Sequence, residues 1–83
     1  MVRQIAVLGA TGSIGASTLD VIQRHPDRYR AAVLAANRSV DEMERLCRLH
    51  VPGHAVMGDP DAASALAGRL KDLTSTEVVS GPA

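Results

Sequence analysis

Eighty-three residues make one small domain at most, a size that buries about two-thirds of the surface exposed by the unfolded chain. The chain is 46% hydrophobic, yet it has no Phe or Trp and its one aromatic residue is Tyr29, so a core must come from Ala, Val, Leu, Ile and Met. Nine basic and nine acidic residues cancel, which removes the electrostatic footprint of a nucleic-acid or anionic-membrane binder. Cys47 stands alone, which excludes an internal disulfide and a multi-cysteine zinc site; it reads as a small core hydrophobe. The first apolar run is cut by glycine within a few residues, too soon for a signal peptide or a membrane span, and a cytoplasmic protein is expected.

The first element is a strand over residues 5–8, a consecutive apolar run of the kind buried on both faces of a parallel sheet. A glycine turn follows. Residues 13–24 read as a helix with Ile14, Thr18, Val21 and Ile22 on one face, and His25-Pro26 stops it. Residues 30–36, "RAAVLAA", form a second buried strand. The next helix opens at "NRSVDEM", where Ser39 and Glu42 have capping-box spacing. Val40, Met43, Leu46 and Cys47 supply its inner face, with Asp41/Arg45 and Glu44/Arg48 as i,i+4 pairs outside. "VPG" ends it and "HAVM" is a short third strand. Asp59-Pro60 reads as an N-cap followed by proline at the first helical position, opening a third helix that ends near Leu70 or Leu73. Ala62, Leu66 and Leu70 fall on one side of it, and "TEVVSG" gives a fourth strand.

The order βαβαβαβ predicts an α/β fold, a Rossmann-like parallel sheet with helices on both faces. In the 3-2-1-4-5-6 strand order of such folds the fourth strand returns beside the first. The sequence is expected to reach that strand and stop, so residues 1–83 are read as the N-terminal part of a nucleotide-binding domain, truncated after the fourth strand.

The chemistry sits in "LGATGSIGAS", residues 8–17, where Gly9, Gly12 and Gly15 are three apart. A pyrophosphate site needs a sharp reversal after a strand, backbone approach without Cβ atoms, and a helix whose free N–H groups face the anion. Thr11 and Ser13 add hydroxyl donors. The pattern is looser than GxGxxG, but its place between first strand and first helix is the context that gives it meaning. After the second strand, where NAD-selective sites tend to carry a carboxylate, the chain has Asn37, Arg38 and Ser39. Arg38 is suited to a 2′-phosphate, with Ser39 assisting, which points to NADPH.

Other candidates are weaker. Pro52 and Gly53 between His50 and His54 break any helical metal face, and His25 reads as a solvated residue at a helix end. Asp59 and Asp61 are explained by capping. No pair of titratable groups forms an acid–base or nucleophile constellation, so no catalytic residue is assigned.

"VLGATGSIGASTLDVI", "AANRSVDEM", "AVMGD" and "TEVVSG" together resemble the N-terminal part of the 1-deoxy-D-xylulose 5-phosphate reductoisomerase family. The resemblance implies that Thr11, Gly12, Ser13 and Ile14 line the pyrophosphate and nicotinamide side of NADPH. Family members often read Gly-Lys/Arg-Asn where this chain has Asn37, Arg38 and Ser39: the cation is kept and its neighbours differ. It further implies an oxidoreductase that uses Mg²⁺ or Mn²⁺, held by residues of a later domain, to convert 1-deoxy-D-xylulose 5-phosphate to 2-C-methyl-D-erythritol 4-phosphate in non-mevalonate isoprenoid biosynthesis. A homodimer is implied for the full-length enzyme, and no activity for these residues alone. The alternatives are another NADP-dependent reductase opening with GATGxxG, or a non-enzymatic nucleotide-binding module.

Overall fold

A computed structural model of the chain describes residues 1–81. Along it alternate β1 (Arg3–Leu8), α1 (Ser13–Arg24), β2 (Tyr29–Ala36), α2 (Val40–His50), β3 (His54–Met57), α3 (Pro60–Arg69) and β4 (Glu77–Ser80). Every element expected from the sequence is present. Strand β1 starts two residues earlier than expected because the Arg3 amide donates to the Arg28 carbonyl at 2.8 Å, and α3 ends at Arg69, close to the nearer of its two expected ends.

The four strands are parallel and lie in the order β1-β2-β3-β4. The Rossmann-like parallel α/β reading holds, with two corrections of arrangement. First, β4 extends the sheet from β3 and does not return beside β1, pairing Ala55 with Val78 and Val56 with Val79. Secondly, the three helices share one face where both faces were expected to carry helices. Each right-handed crossover steps the same way across the sheet, so each returns its helix to the same side.

Burial along the strands follows from that. Val7, Ala31, Leu34, Ala55 and Met57 are buried under the helices, while Leu8, one residue on from Val7, is 76% exposed. Across the sheet Leu8 aligns with Ala35, Ala35 with Val56 and Val56 with Val79, an apolar row on the face without helices. So β1 is not buried on both faces among the described residues.

Helix α1 also sits differently from its apolar pattern. Its buried residues are Gly15, Leu19 and Ile22, whereas Ile14 is 83% and Val21 49% exposed. The stripe Ile14, Thr18, Val21 is turned toward the outer edge of β1, where Thr18, Val21 and Ile22 line a shallow hollow with Ile5 and Tyr29. The three-residue spacing of the glycines decides this rotation, because Gly15 must face the strand. The exposed His25 caps the end of α1, its amide donating to the Val21 and Ile22 carbonyls, and its ring meets Tyr29 edge-on.

Helix α2 buries Met43, Leu46 and Cys47 as its pattern predicts. Its N-terminus does not form the expected capping box: Ser39 makes no side-chain cap bond. Glu42 is held instead by Arg45, through contacts of 2.7 and 3.0 Å. Arg45 therefore pairs with Glu42 and not with Asp41, which bonds Arg69 on α3. Glu44/Arg48 forms as expected at 3.3 Å, and Arg48 continues to Asp72 at 2.8 Å. These contacts join α2 to α3. Beyond α2, Val51 lies in the left-handed region at φ 44°, which costs a residue of L chirality about 1–2 kcal/mol. The segment is held by Arg30, which donates to the Val51 carbonyl, and by the buried Thr76 hydroxyl, which donates to the Pro52 carbonyl at 2.6 Å. Helix α3 has the predicted start, with the Asp59 carboxylate accepting from the Ala62 amide at 2.9 Å and Pro60 behind it.

The one-sided packing predicts unequal costs for two leucines one strand apart. Leu34→Ala, at a fully buried position, should lose about 2–5 kcal/mol, and Leu8→Ala no more than about 0.5 kcal/mol, by urea unfolding. Arg48, by its hydrogen bond, holds the Asp72 carboxyl below its ordinary 3.8. A carboxyl depressed on folding stabilises the fold above its unfolded value, and that share disappears as pH falls through the lower folded value. The stability difference between the wild type and Arg48→Met should therefore be full above pH 3.8 and shrink in stronger acid, which acid unfolding of the two proteins can measure.

Candidate functional site

Parallel strands put every strand-to-helix loop at one end of the sheet, and the glycine turn lies there. Gly9 follows β1 at φ 64°, a left-handed conformation that glycine adopts without strain. Its carbonyl accepts from the Gly12 amide at 3.0 Å, which closes the turn. Next to it the Ala10 amide donates to the Ala35 carbonyl at 2.9 Å and fastens the turn to β2. Gly15 then brings α1 against this corner. A Cβ at Gly15 would fall 2.3 Å from the Gly9 oxygen and 2.7 Å from the Ala10 Cα, and both are backbone atoms.

The start of α1 is left open for an anion. Gly12 is its N-cap, with no side-chain cap and no acidic residue in the first turn. The first intrahelical bond runs from the Ala16 amide to the Gly12 carbonyl, so the amides of Ser13, Ile14 and Gly15 have no partner within the helix. The positive end of the helix dipole adds to their attraction for negative charge. A Cβ at Gly12 would meet only the Gly9 oxygen at 3.4 Å, an ordinary contact. The backbone therefore does not need a glycine there. Thr11 is half-buried at the mouth of a groove of about 160 Å³ between α1 and α2, and Ser13 and Ile14 are exposed at the helix start.

The loop after β2 lies beside this turn because β1 and β2 are neighbours. Asn37, Arg38 and Ser39 are exposed on it. Arg38 is in no hydrogen bond or ion pair among the described residues, unlike Arg45, Arg48 and Arg69. The acidic residues just inside α2 do not compete for it, since Asp41 is bound to Arg69 and Glu42 to Arg45. Asn37 is tied down through its backbone: its carbonyl accepts from the Asp59 amide at 3.1 Å, and the Ala36 carbonyl accepts from the Gly58 amide at 2.9 Å. Sequence reasoning missed Gly58, which lies directly against the Asn37 side chain; only strand pairing brings the two loops together.

The histidines and the cysteine set aside in the sequence fall away from this end, whereas Asp59 lies at it as the cap of α3. His54 faces Glu77 across the β3–β4 pair at 3.6 Å, at the opposite end of those strands. His50 lies in the α1–α2 groove, where burial and then Arg45 hold it below the ordinary histidine value. Cys47 is fully buried, and burial pushes its thiol up to about 11, so it stays protonated and unreactive at neutral pH.

The glycine turn, the open helix start and the unpaired arginine lie at one end of the sheet, and comparison with known proteins gives the chain a family. Residues 5–83 match the family model for 1-deoxy-D-xylulose 5-phosphate reductoisomerase. The chain belongs to that family. It is 53% identical over 81 residues to the reductoisomerase of Methylobacillus flagellatus, covering 98% of this chain and 20% of that one. With the enzyme of Xanthomonas euvesicatoria the identity is 56% over 71 residues, 86% of this chain and 18% of the relative. The fold superposes on the Zymomonas mobilis reductoisomerase in complex with NADPH with a TM-score of 0.89 at 41% identity, over 98% of this chain and 21% of that structure. A reductoisomerase in complex with NADPH, fosmidomycin and magnesium gives 0.88 at 37% identity, over 96% and 20%. The chain thus spans about a fifth of the length of these reductoisomerases.

Two glycines of the turn should behave differently. Gly15→Ala gains at most about 1 kcal/mol of helix propensity but meets backbone on every close contact, an overpacking worth about 1–3 kcal/mol or more. A net loss of stability is expected in thermal unfolding. Gly12→Ala, with room for its Cβ, should cost about 1 kcal/mol or less.

Proposed function

We propose that these residues are the N-terminal part of the NADPH-binding domain of a 1-deoxy-D-xylulose 5-phosphate reductoisomerase. The whole protein would rearrange and reduce 1-deoxy-D-xylulose 5-phosphate to 2-C-methyl-D-erythritol 4-phosphate in non-mevalonate isoprenoid biosynthesis. The observation that carries this is the open start of α1 beside an unpaired Arg38, at the same end of the sheet. Family membership and the NADPH named in a similar structure support it.

In this proposal the amides of Ser13, Ile14 and Gly15 hold the pyrophosphate, with Gly9 and Gly12 admitting it and the hydroxyls of Thr11 and Ser13 donating to it. Arg38, helped by Ser39 and flanked by Asn37, pairs with the 2′-phosphate. Ile14, exposed at the helix start, offers an apolar surface toward the nicotinamide. NADPH supplies the hydride for the reduction. The chain's own residues bind and orient the cofactor, and none of them exchanges a proton with the substrate. No cluster of three or more His, Cys, Asp or Glu that could hold a metal occurs among the described residues. The residues here therefore do not fit the Mg²⁺ or Mn²⁺ of the reaction, and no step is assigned through it. No helix among them is long and apolar enough to cross a membrane. A cytoplasmic homodimer, with the sugar phosphate bound outside these residues, completes the proposal.

Fluorescence titration with NADPH and then NADH tests it. The protein should bind NADPH saturably and prefer it. Arg38→Ala should lose about 1.5–3 kcal/mol of NADPH binding, the worth of a hydrogen bond to a charged group, and little of NADH binding. Equal losses would make Arg38 a surface charge only.

A further inference from the structure

We propose that Gly58, outside the glycine turn, positions Asn37 and thereby sets the preference of the site for NADPH. The inference rests on the assignment of the loop after β2 to the 2′-phosphate. A Cβ on Gly58 would fall 2.7 Å from the Asn37 Oδ1 and 3.6 Å from its Cγ, well inside contact distance for the oxygen. The Asn37 side chain therefore lies against the backbone of the β3 loop, in space that only a glycine at 58 leaves free.

Two backbone hydrogen bonds hold the two loops together against such a clash. The amide of Gly58 is bonded to the Ala36 carbonyl at 2.9 Å, and that of Asp59 to the Asn37 carbonyl at 3.1 Å. The Asp59 side chain is also engaged, capping α3 through the Ala62 amide. What can move is the Asn37 amide, the tip of an exposed side chain. A methyl group at position 58 would turn that tip away from β3, onto the loop that carries Arg38 and Ser39. Its carbonyl oxygen, an acceptor, and its bulk would then compete with a 2′-phosphate for the guanidinium. With glycine at 58, the amide stays clear and Arg38 is left to the phosphate. Gly58 is thus a positioning residue that acts through Asn37.

The test compares wild type, Gly58→Ala, Asn37→Gly and the double variant in the protein at its natural length. NADPH and NADH affinities are read by fluorescence titration, and folding by thermal melting. Gly58→Ala should weaken NADPH about tenfold, of the order of one lost charge-assisted bond, and NADH by less than about twofold. Its melting temperature should hardly change, since the displaced atom is a flexible tip. Adding Asn37→Gly should restore NADPH binding to the level of Asn37→Gly alone, because nothing is left to displace. Unchanged NADPH binding in Gly58→Ala, equal losses for both cofactors, or a loss that persists in the double variant would each overturn the inference while leaving the NADPH site standing. Failure of the wild type to prefer NADPH would instead remove the assignment of the site, and the role of Gly58 with it.

Discussion

The contact on which the rest depends is the backbone approach of α1 to the end of β1 at Gly15. The helix meets the Gly9 oxygen and the Ala10 Cα at distances that no side chain could share. That approach fixes the rotation of α1, which turns Leu19 and Ile22 inward and leaves Ile14 outside. It also places the unpaired amides at the start of the helix over the end of the strand, where charge can be met by backbone alone. The hydrogen bond from Ala10 to Ala35 then ties this corner to β2, so the loop bearing Arg38 is held beside it. One steric requirement thus orders both halves of the candidate site.

The core grows on one side of the sheet. Ala31, Leu34, Ala55 and Met57 pack under Leu19, Met43, Leu46, Cys47 and Leu66, with no aromatic ring among the fully buried residues. Small strand residues let the helices sit close, which is how a chain poor in large side chains fills its interior. The other face carries the row from Leu8 to Val79 without a helix over it. Parallel sheets are generally covered on both faces, and the family's members are about five times as long as this chain.

Charge is distributed with a similar economy. Arg45, Arg48 and Arg69 are absorbed in contacts along α2 and between α2 and α3. Those pairs are exposed and individually weak, yet they occupy the carboxylates nearest the start of α2. Arg38 is left as an unneutralised cation beside the glycine turn. The same network explains why the capping box of α2 fails to form. Glu42 has a choice between the Ser39 amide and the forked guanidinium of Arg45, and the two-pronged charged contact wins.

The sequence by itself determined the seven elements, their order and the glycine turn, because these follow from local rules. Short apolar runs, proline and glycine breaks, the Asp59 cap and the spacing of Gly9, Gly12 and Gly15 each act within a few residues. The same locality singled out Arg38 as a candidate, since it follows the second strand. What only the tertiary structure decided was non-local. The sheet order put β4 beyond β3, because strand neighbours are chosen by where each crossover lands. Helix rotation was set by the Gly15 contact and not by the widest apolar stripe, which misled the reading of Ile14, Thr18 and Val21. The partners of Asp41 and Glu42 depended on α3 and on competition between donors. Gly58 was invisible for the same reason: it is twenty-one positions from Asn37, and strand pairing alone makes them neighbours.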